Sequence, residues 1–209
     1  MIGIYGGTFD PVHYGHLRTA LEVREKLALD TLRFVPCKKP VHRGEPAVTA
    51  EKRLELLQIA IADTPELTVD CCELEREGPS FMVDTLRHIR KEIGESRPLV
   101  LIVGMDAFLG LPSWSRWTEL FELAHIAVMM RPGWQCDVPS ELAEQISERI
   151  AGELAELSSA DAGKVCFVEV TQLEISATEI RNLVRAGADS RYLLPDTVRE
   201  MIIKENLYR

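Results

Sequence analysis

Hydrophobic positions along this chain follow two alternating rhythms. Compact apolar runs at 2–5, 31–36, 67–69, 99–103, 126–130 and 165–170 have the length of strands. The run at 99–103, LVLIV, is apolar without interruption, the pattern of a strand covered on both faces. Between these runs, Leu17, Ala20, Leu21, Val23 and Leu27 recur at helical spacing, as do Leu54, Leu57 and Ile61 within 51–62. Helices are also predicted over 82–93 and, as one long amphipathic element, over 140–157. Strands separated by helices pair in parallel through right-handed crossovers. The predicted fold class is therefore α/β, a Rossmann-like doubly wound parallel sheet. In such sheets ligands bind beyond the carboxyl ends of the strands, where strand order reverses. No repeat or low-complexity linker divides the sequence, so a single domain over 1–209 is expected.

Composition narrows the class of partner. The chain has 209 residues, 46% of them hydrophobic, enough for one sizeable core. Its net charge is -9, a poor balance for a general binder of nucleic acid. No apolar run approaches the roughly 20 residues that cross a bilayer, so no membrane partner is expected. The sequence opens directly into a strand, with no secretory leader in view. The 5 cysteines are odd in number, lack a CxxC pair and include the adjacent Cys71 and Cys72. They point to a reducing, cytoplasmic setting rather than to a disulfide framework or a zinc site.

Candidate chemistry concentrates at 6–16, GGTFDPVHYGH, between the first strand and the first helix. Strand, glycine turn and helix start make a phosphate cradle from backbone N–H groups and the helix dipole. Gly6 and Gly7 let backbone come close to a phosphate, and Thr8 adds a hydroxyl and an N–H. His13 and His16 lie about one turn apart, so both can face one ligand and each can donate an N–H to a phosphate oxygen. Near the other end, Ile175-Ser176-Ala177-Thr178-Glu179-Ile180-Arg181 carries an S-x-x-E capping box that starts a helix, with Arg181 one turn on. Alone this marks a capped surface helix; beside a phosphate site it suits the β and γ phosphates of a nucleotide. A third segment, Pro36-Cys37-Lys38-Lys39-Pro40-Val41-His42-Arg43, clusters basic residues in an acidic protein.

These segments resemble a known family. GGTFDPVHYGH looks like the HxGH signature of the nucleotidyltransferase superfamily, and ISATEIR resembles its ISxTxIR motif, with Ala177 where Ser is usual. Further matches narrow the likeness to the bacterial nicotinate-nucleotide adenylyltransferases. They are the PPHK-like loop at 36–43 (Val41 replacing a proline), Gly104-Met105-Asp106, Leu111-Pro112-Ser113-Trp114, Asp84-Thr85-Leu86 and Arg131-Pro132-Gly133.

The resemblance implies a nucleotidyltransferase-type sheet, with the C-terminal helical part, about 175–209, completing an ATP site. It implies adenylyl transfer from ATP to nicotinate mononucleotide, with His13 and His16 as catalytic residues. For ATP it implies Gly6, Gly7, Thr8, Phe9, Lys39, His42, Gly104, Asp106, Ile175, Ser176, Thr178 and Arg181. For the mononucleotide it implies Arg43, Thr85 beside the nicotinate carboxylate, Trp114 stacked on the pyridine ring, and Arg131. Mg²⁺ is expected through the ATP phosphates, without a metal site of the protein's own. The resemblance implies the acid over the amide; backbone N–H groups near Thr85 and Trp114 would favour a carboxylate. The alternatives are an adenylyltransferase for nicotinamide mononucleotide or another phosphorylated acceptor, and a nucleotide-sensing module without turnover.

Overall fold

A computed structural model describes residues 1–40, 44–131, 138–171 and 173–209. Six parallel strands form its sheet: β1 (Ile2–Gly7), β2 (Thr31–Pro36), β3 (Leu67–Val69), β4 (Leu99–Gly104), β5 (His125–Met130) and β6 (Val165–Glu169). Their order is β3-β2-β1-β4-β5-β6, so the order reverses between β1 and β4. That places the doubly wound switch point at the end of β1, where the glycine turn begins.

Period-2 alternation sorts each central strand's side chains between two cores. Val100 and Ile102 of β4, with Ala127 and Met129 of β5, face one core. There they meet the helices α1 (Tyr14–Lys26), α2 (Ala50–Ile61), α8 (Ala177–Arg185) and α9 (Asp196–Lys204). Leu99, Leu101, Val103, Ile126 and Val128 face the other. The short α3 (Cys72–Glu75), then α4 (Met82–Ile93), α5 (Met105–Leu109), α6 (Leu120–Leu123) and α7 (Ser140–Ile146), pack on that side. Burial on both faces explains why β4 and β5 read as unbroken apolar runs.

The helix expected over 140–157 is much shorter. α7 stops at Ile146, and residues 154–158 form a separate 3-10 turn, Leu154–Ser158. Ile150 bridges Val165 beside edge strand β6, with Ala151 N–H bonded to the Val165 carbonyl at 2.8 Å. Gly152 is a poor helix residue. The Glu156 carboxylate accepts the N–H groups of Gly152 (2.9 Å) and Glu153 (3.1 Å), fixing a turn where a helix would continue. Strand pairing at an open sheet edge thus wins over a weak helical repeat.

Two buried arginines staple opposite ends of the sheet. Arg90 of α4, only 3% exposed, donates to the carbonyls of Leu123 (2.7 Å), Arg97 (2.6 Å) and Asp161 (2.7 Å), ahead of β5, β4 and β6. Arg53 of α2, 1% exposed, donates to the carbonyls of Thr8 (2.6 Å) and Cys37 (2.7 Å), just after β1 and β2.

Candidate active site

A cavity of about 1300 Å³ opens at the carboxyl edge of the sheet, over β1 and β4. A smaller hollow of about 470 Å³ by Arg33 holds charges that already pair, Arg33 with Asp70 at 3.3 Å and with Glu92 at 3.0 Å.

The floor of the large cavity is the turn after β1. Both glycines are explained by protein packing rather than by ligand approach alone. A Cβ on Gly7 would lie 2.7 Å from the Phe9 ring, and one on Gly6 would lie 2.5 Å from Met82. Phe9 itself takes a left-handed backbone (φ 49°) and is buried against Phe34 and Tyr5. At Gly104, by contrast, a Cβ would meet open cavity, which leaves the end of β4 free for close approach by a ligand.

His13 caps α1 from an extended conformation (φ -151°), and His16 sits in the first turn. Their rings stack, with centroids 3.8 Å apart and planes at 32°. His16 also packs edge-on to Phe9 at 5.1 Å. Gly15 is required between them, because a Cβ there would stand 2.9 Å from the His13 ring. His13 is 6% exposed, and its Nδ1 has no partner among the described residues. Burial pulls its pKa down from 6.5 to about 4, so it is neutral at pH 7. A neutral imidazole keeps one N–H to donate, and its uncharged state removes like-charge repulsion from so close a pair.

The two sequence segments meet across the cavity. Arg181 Nη1 donates to the Asp10 carbonyl at 2.6 Å and lies 3.8 Å from the Asp10 carboxylate, while Nη2 reaches Thr178 Oγ1 at 3.1 Å. Ser176 caps α8, accepting the Glu179 N–H at 3.1 Å. This hydrogen bond leaves the Ser176 hydroxyl proton free to donate. Asp10 also accepts the Ala47 N–H at 2.7 Å. Buried Tyr208 packs behind Asp10; burial, and then that neighbouring carboxylate, push its phenol well above the usual range.

Most of the expected site residues line this cavity: Gly6, Gly7, Thr8, Phe9, His13, His16, Gly104, Asp106, Trp114, Arg131, Ile175, Ser176, Thr178 and Arg181. Arg131 also bonds Glu174 at 3.0 Å at its rim. His42 and Arg43 lie outside the described residues, as do Pro132 and Gly133. Lys39 and Thr85 are not brought to the wall. Lys39 is exposed, its N–H 3.4 Å from Ser80 Oγ. Thr85 is fully buried, its hydroxyl donating to Glu73 at 2.6 Å and its N–H bonded within α4 to the Phe81 carbonyl. The Trp114 N–H is likewise bonded, to the Leu111 carbonyl at 2.8 Å. The backbone N–H groups of Thr85 and Trp114 themselves are therefore engaged inside the protein. Buried Glu73 lines the cavity in Thr85's place, and burial raises its carboxyl above the ordinary range.

Sequence reasoning passed over Glu73, Asp10 and Arg53. Arg53 had a signal: it stands three and four residues before the buried Leu56 and Leu57, on the apolar stripe of α2.

Known proteins resemble this chain over nearly its whole length. The cytidylyltransferase-like family profile matches residues 4–183. A relative named "Probable nicotinate-nucleotide adenylyltransferase" in Methylococcus capsulatus is 53% identical over 209 residues, covering 100% of this chain and 99% of its own. A protein of the same name in Halorhodospira halophila is 50% identical over 207 residues, covering 99% of this chain and 94% of its own. Among solved structures, nicotinic acid mononucleotide adenylyltransferase of Plasmodium falciparum, complexed with NaAD, superposes with a TM-score of 0.74 at 18% identity. That match covers 99% of this chain and 96% of the other, and at such identity it speaks for the fold. The stacked histidines, the α8 cap and the full-length likeness agree: the chain belongs to the cytidylyltransferase-like family and, within it, to the nicotinate-nucleotide adenylyltransferases.

Proposed function

We propose that this chain transfers an adenylyl group from ATP to nicotinate mononucleotide, giving nicotinate adenine dinucleotide and pyrophosphate. The observation that carries the reading is one cavity shared by the His13–His16 pair and the Arg181-bearing start of α8. Both are places where N–H groups converge on an anion.

In the transfer, an oxygen of the mononucleotide phosphate attacks the α-phosphorus of ATP, and the bond from that phosphorus to the β-phosphate bridging oxygen breaks. The attacking phosphate is already ionised near pH 7, so no base has to take a proton from it. Catalysis is then positioning and charge stabilisation. His13 and His16 donate to the α-phosphate as its charge shifts. Ser176, Thr178 and Arg181 hold the departing pyrophosphate. The backbone of Gly6, Gly7, Thr8 and Phe9 supports the triphosphate, with Gly104, Asp106 and Ile175 around the nucleoside. Trp114 and Arg131 serve the mononucleotide. Lys39, His42 and Arg43 would join from the segment beyond β2. With Thr85 engaged by Glu73, its part is to hold the wall of the pyridine pocket rather than to touch the ring.

Among the described residues no group of three or more His, Cys, Asp or Glu is arranged to hold a metal ion. Mg²⁺ would come carried on the ATP phosphates, where it would neutralise charge on the triphosphate. One domain suffices, with the part at about 175–209 completing the ATP site; the Arg181 to Asp10 bonds support this. A net charge of -9 argues against nucleic acid as a partner, while local cations such as Arg181 can still hold a small anion. Four described cysteines are free thiols, which supports a reducing, cytoplasmic setting. No described helix is long and apolar enough to cross a membrane.

The test is pyrophosphate release with ATP and Mg²⁺, comparing nicotinate with nicotinamide mononucleotide. Preference for the acid is expected. Preference for the amide would overturn the acceptor, and ATP binding without release would favour a sensing module.

A further inference from the structure

Arg53 is a fully buried cation with unusual company. It makes no ion pair among the described residues, its Nε has no partner there, and its two Nη groups spend themselves on backbone carbonyls. Burying a guanidinium with no paired charge is costly, and among the described residues only hydrogen bonds to carbonyls offset it here. Its two acceptors are the carbonyls of Thr8 and Cys37. The first belongs to the glycine turn and the second to the root of the basic segment. In a trans peptide the C=O and N–H point opposite ways. Holding the Thr8 carbonyl therefore turns the Phe9 N–H away from Arg53, and that N–H finds no acceptor among the described residues. The Cys37–Lys38 peptide is held at both ends, since the Lys38 N–H donates to Ser80 Oγ at 3.1 Å.

We propose that Arg53 is a positioning residue for the nucleotide phosphates: it bridges the Thr8 and Cys37 peptides, locks the turn to the chain just after β2 in one wall, and keeps the Phe9 N–H presented to an anion. This rests on the adenylyl-transfer reading for the step that it serves.

Arg90 supplies a matched control. It is equally enclosed and also bonds only carbonyls, but at the amino edge of the sheet, away from the cavity. Arg53→Lys keeps the charge but cannot fork onto two carbonyls. It is expected to weaken ATP binding, measured by calorimetry, and kcat by about tenfold each. The KM for the mononucleotide should stay within about threefold, because the brace faces the triphosphate. Arg90→Lys is expected to lower the melting temperature while leaving ATP affinity and kcat within about twofold, as its carbonyls lie outside the site. Unchanged ATP affinity in Arg53→Lys would overturn the proposal, as would an equal loss in Arg90→Lys. If Arg53→Lys does not fold, Ser80→Ala frees the other end of the Cys37–Lys38 peptide. An ATP affinity about threefold weaker would then support the brace, and an unchanged one would refute it. Wild-type protein that binds ATP but releases no pyrophosphate would sink the transfer reading alone, since the ATP arm still decides the brace. Wild-type protein that does not bind ATP sinks both.

Discussion

His13 makes folding stability depend on pH in a direction opposite to that of an exposed, anion-paired histidine. Its pKa is about 4 in the fold and 6.5 when unfolded, because the buried ring cannot be hydrated as a cation. The unfolded chain therefore takes up the proton first as pH falls, and stability drops below about pH 6.5. At about 1.4 kcal/mol per pH unit, the full loss below both values is about 3 kcal/mol, of which about 2 kcal/mol falls between pH 7.5 and 5. The perturbation is His13→Asn, which cannot titrate. Urea unfolding of both proteins at pH 7.5, 6.5, 5.5 and 5 gives the difference curve. Wild type should lose about 2 kcal/mol relative to the variant across that window. Parallel curves for the two proteins would refute the burial argument. The same logic predicts that ATP, by bringing negative charge to the ring, raises its pKa and draws in a fraction of a proton near pH 5.5. Calorimetry in buffers of different ionisation enthalpy reads that uptake directly.

Three further substitutions separate the parts of the site. His16→Ala should lower kcat by about 10²–10³ with little change in melting temperature, by analogy with losing one donor to a developing charge; near-normal turnover would remove the residue from the transfer step. Gly15→Ala forces a methyl to within 2.9 Å of the His13 ring. It should cost about 10²-fold in kcat through displacement of that ring, and retained activity would show that ring placement is not limiting. Trp114→Ala should raise the KM for the mononucleotide by about tenfold while moving that for ATP much less, a split that initial-rate kinetics resolves. Equal effects on both substrates would count against pyridine stacking.

Sequence pattern carried the sheet well because burial dictates composition there. β4 and β5 lie between two cores, so their apolar runs are continuous and their ends could be misplaced by only a residue. The 82–93 helix was legible from its spacing and matches α4. The 140–157 stretch was not, since Leu142, Ile146 and Leu157 keep helical spacing although the chain reverses between them. Local periodicity holds no record of the edge strand that Ile150 joins. The same holds in the site. His13, His16 and Arg181 stood out because phosphate chemistry would use such side chains, and the three line one cavity. The burial of the Thr85 hydroxyl was not legible because the partner that claims it, Glu73, lies 12 residues upstream on another helix. Arg53 serves through backbone carbonyls, and carbonyls have no letter in a sequence.

The bond from Arg181 to Asp10 spans 171 positions of the chain. During synthesis, the first half of the phosphate site therefore emerges long before the second. The chain must be made through α8 and docked before Arg181 can reach its partner, and Tyr208 arrives later still. Contacts of such separation close late in folding, after the loop entropy between them has been overcome. Nascent chains would display the glycine turn and both histidines without the arginine proposed to hold the departing pyrophosphate. A chain stopped short of α8 is therefore expected to carry only half of the candidate phosphate site.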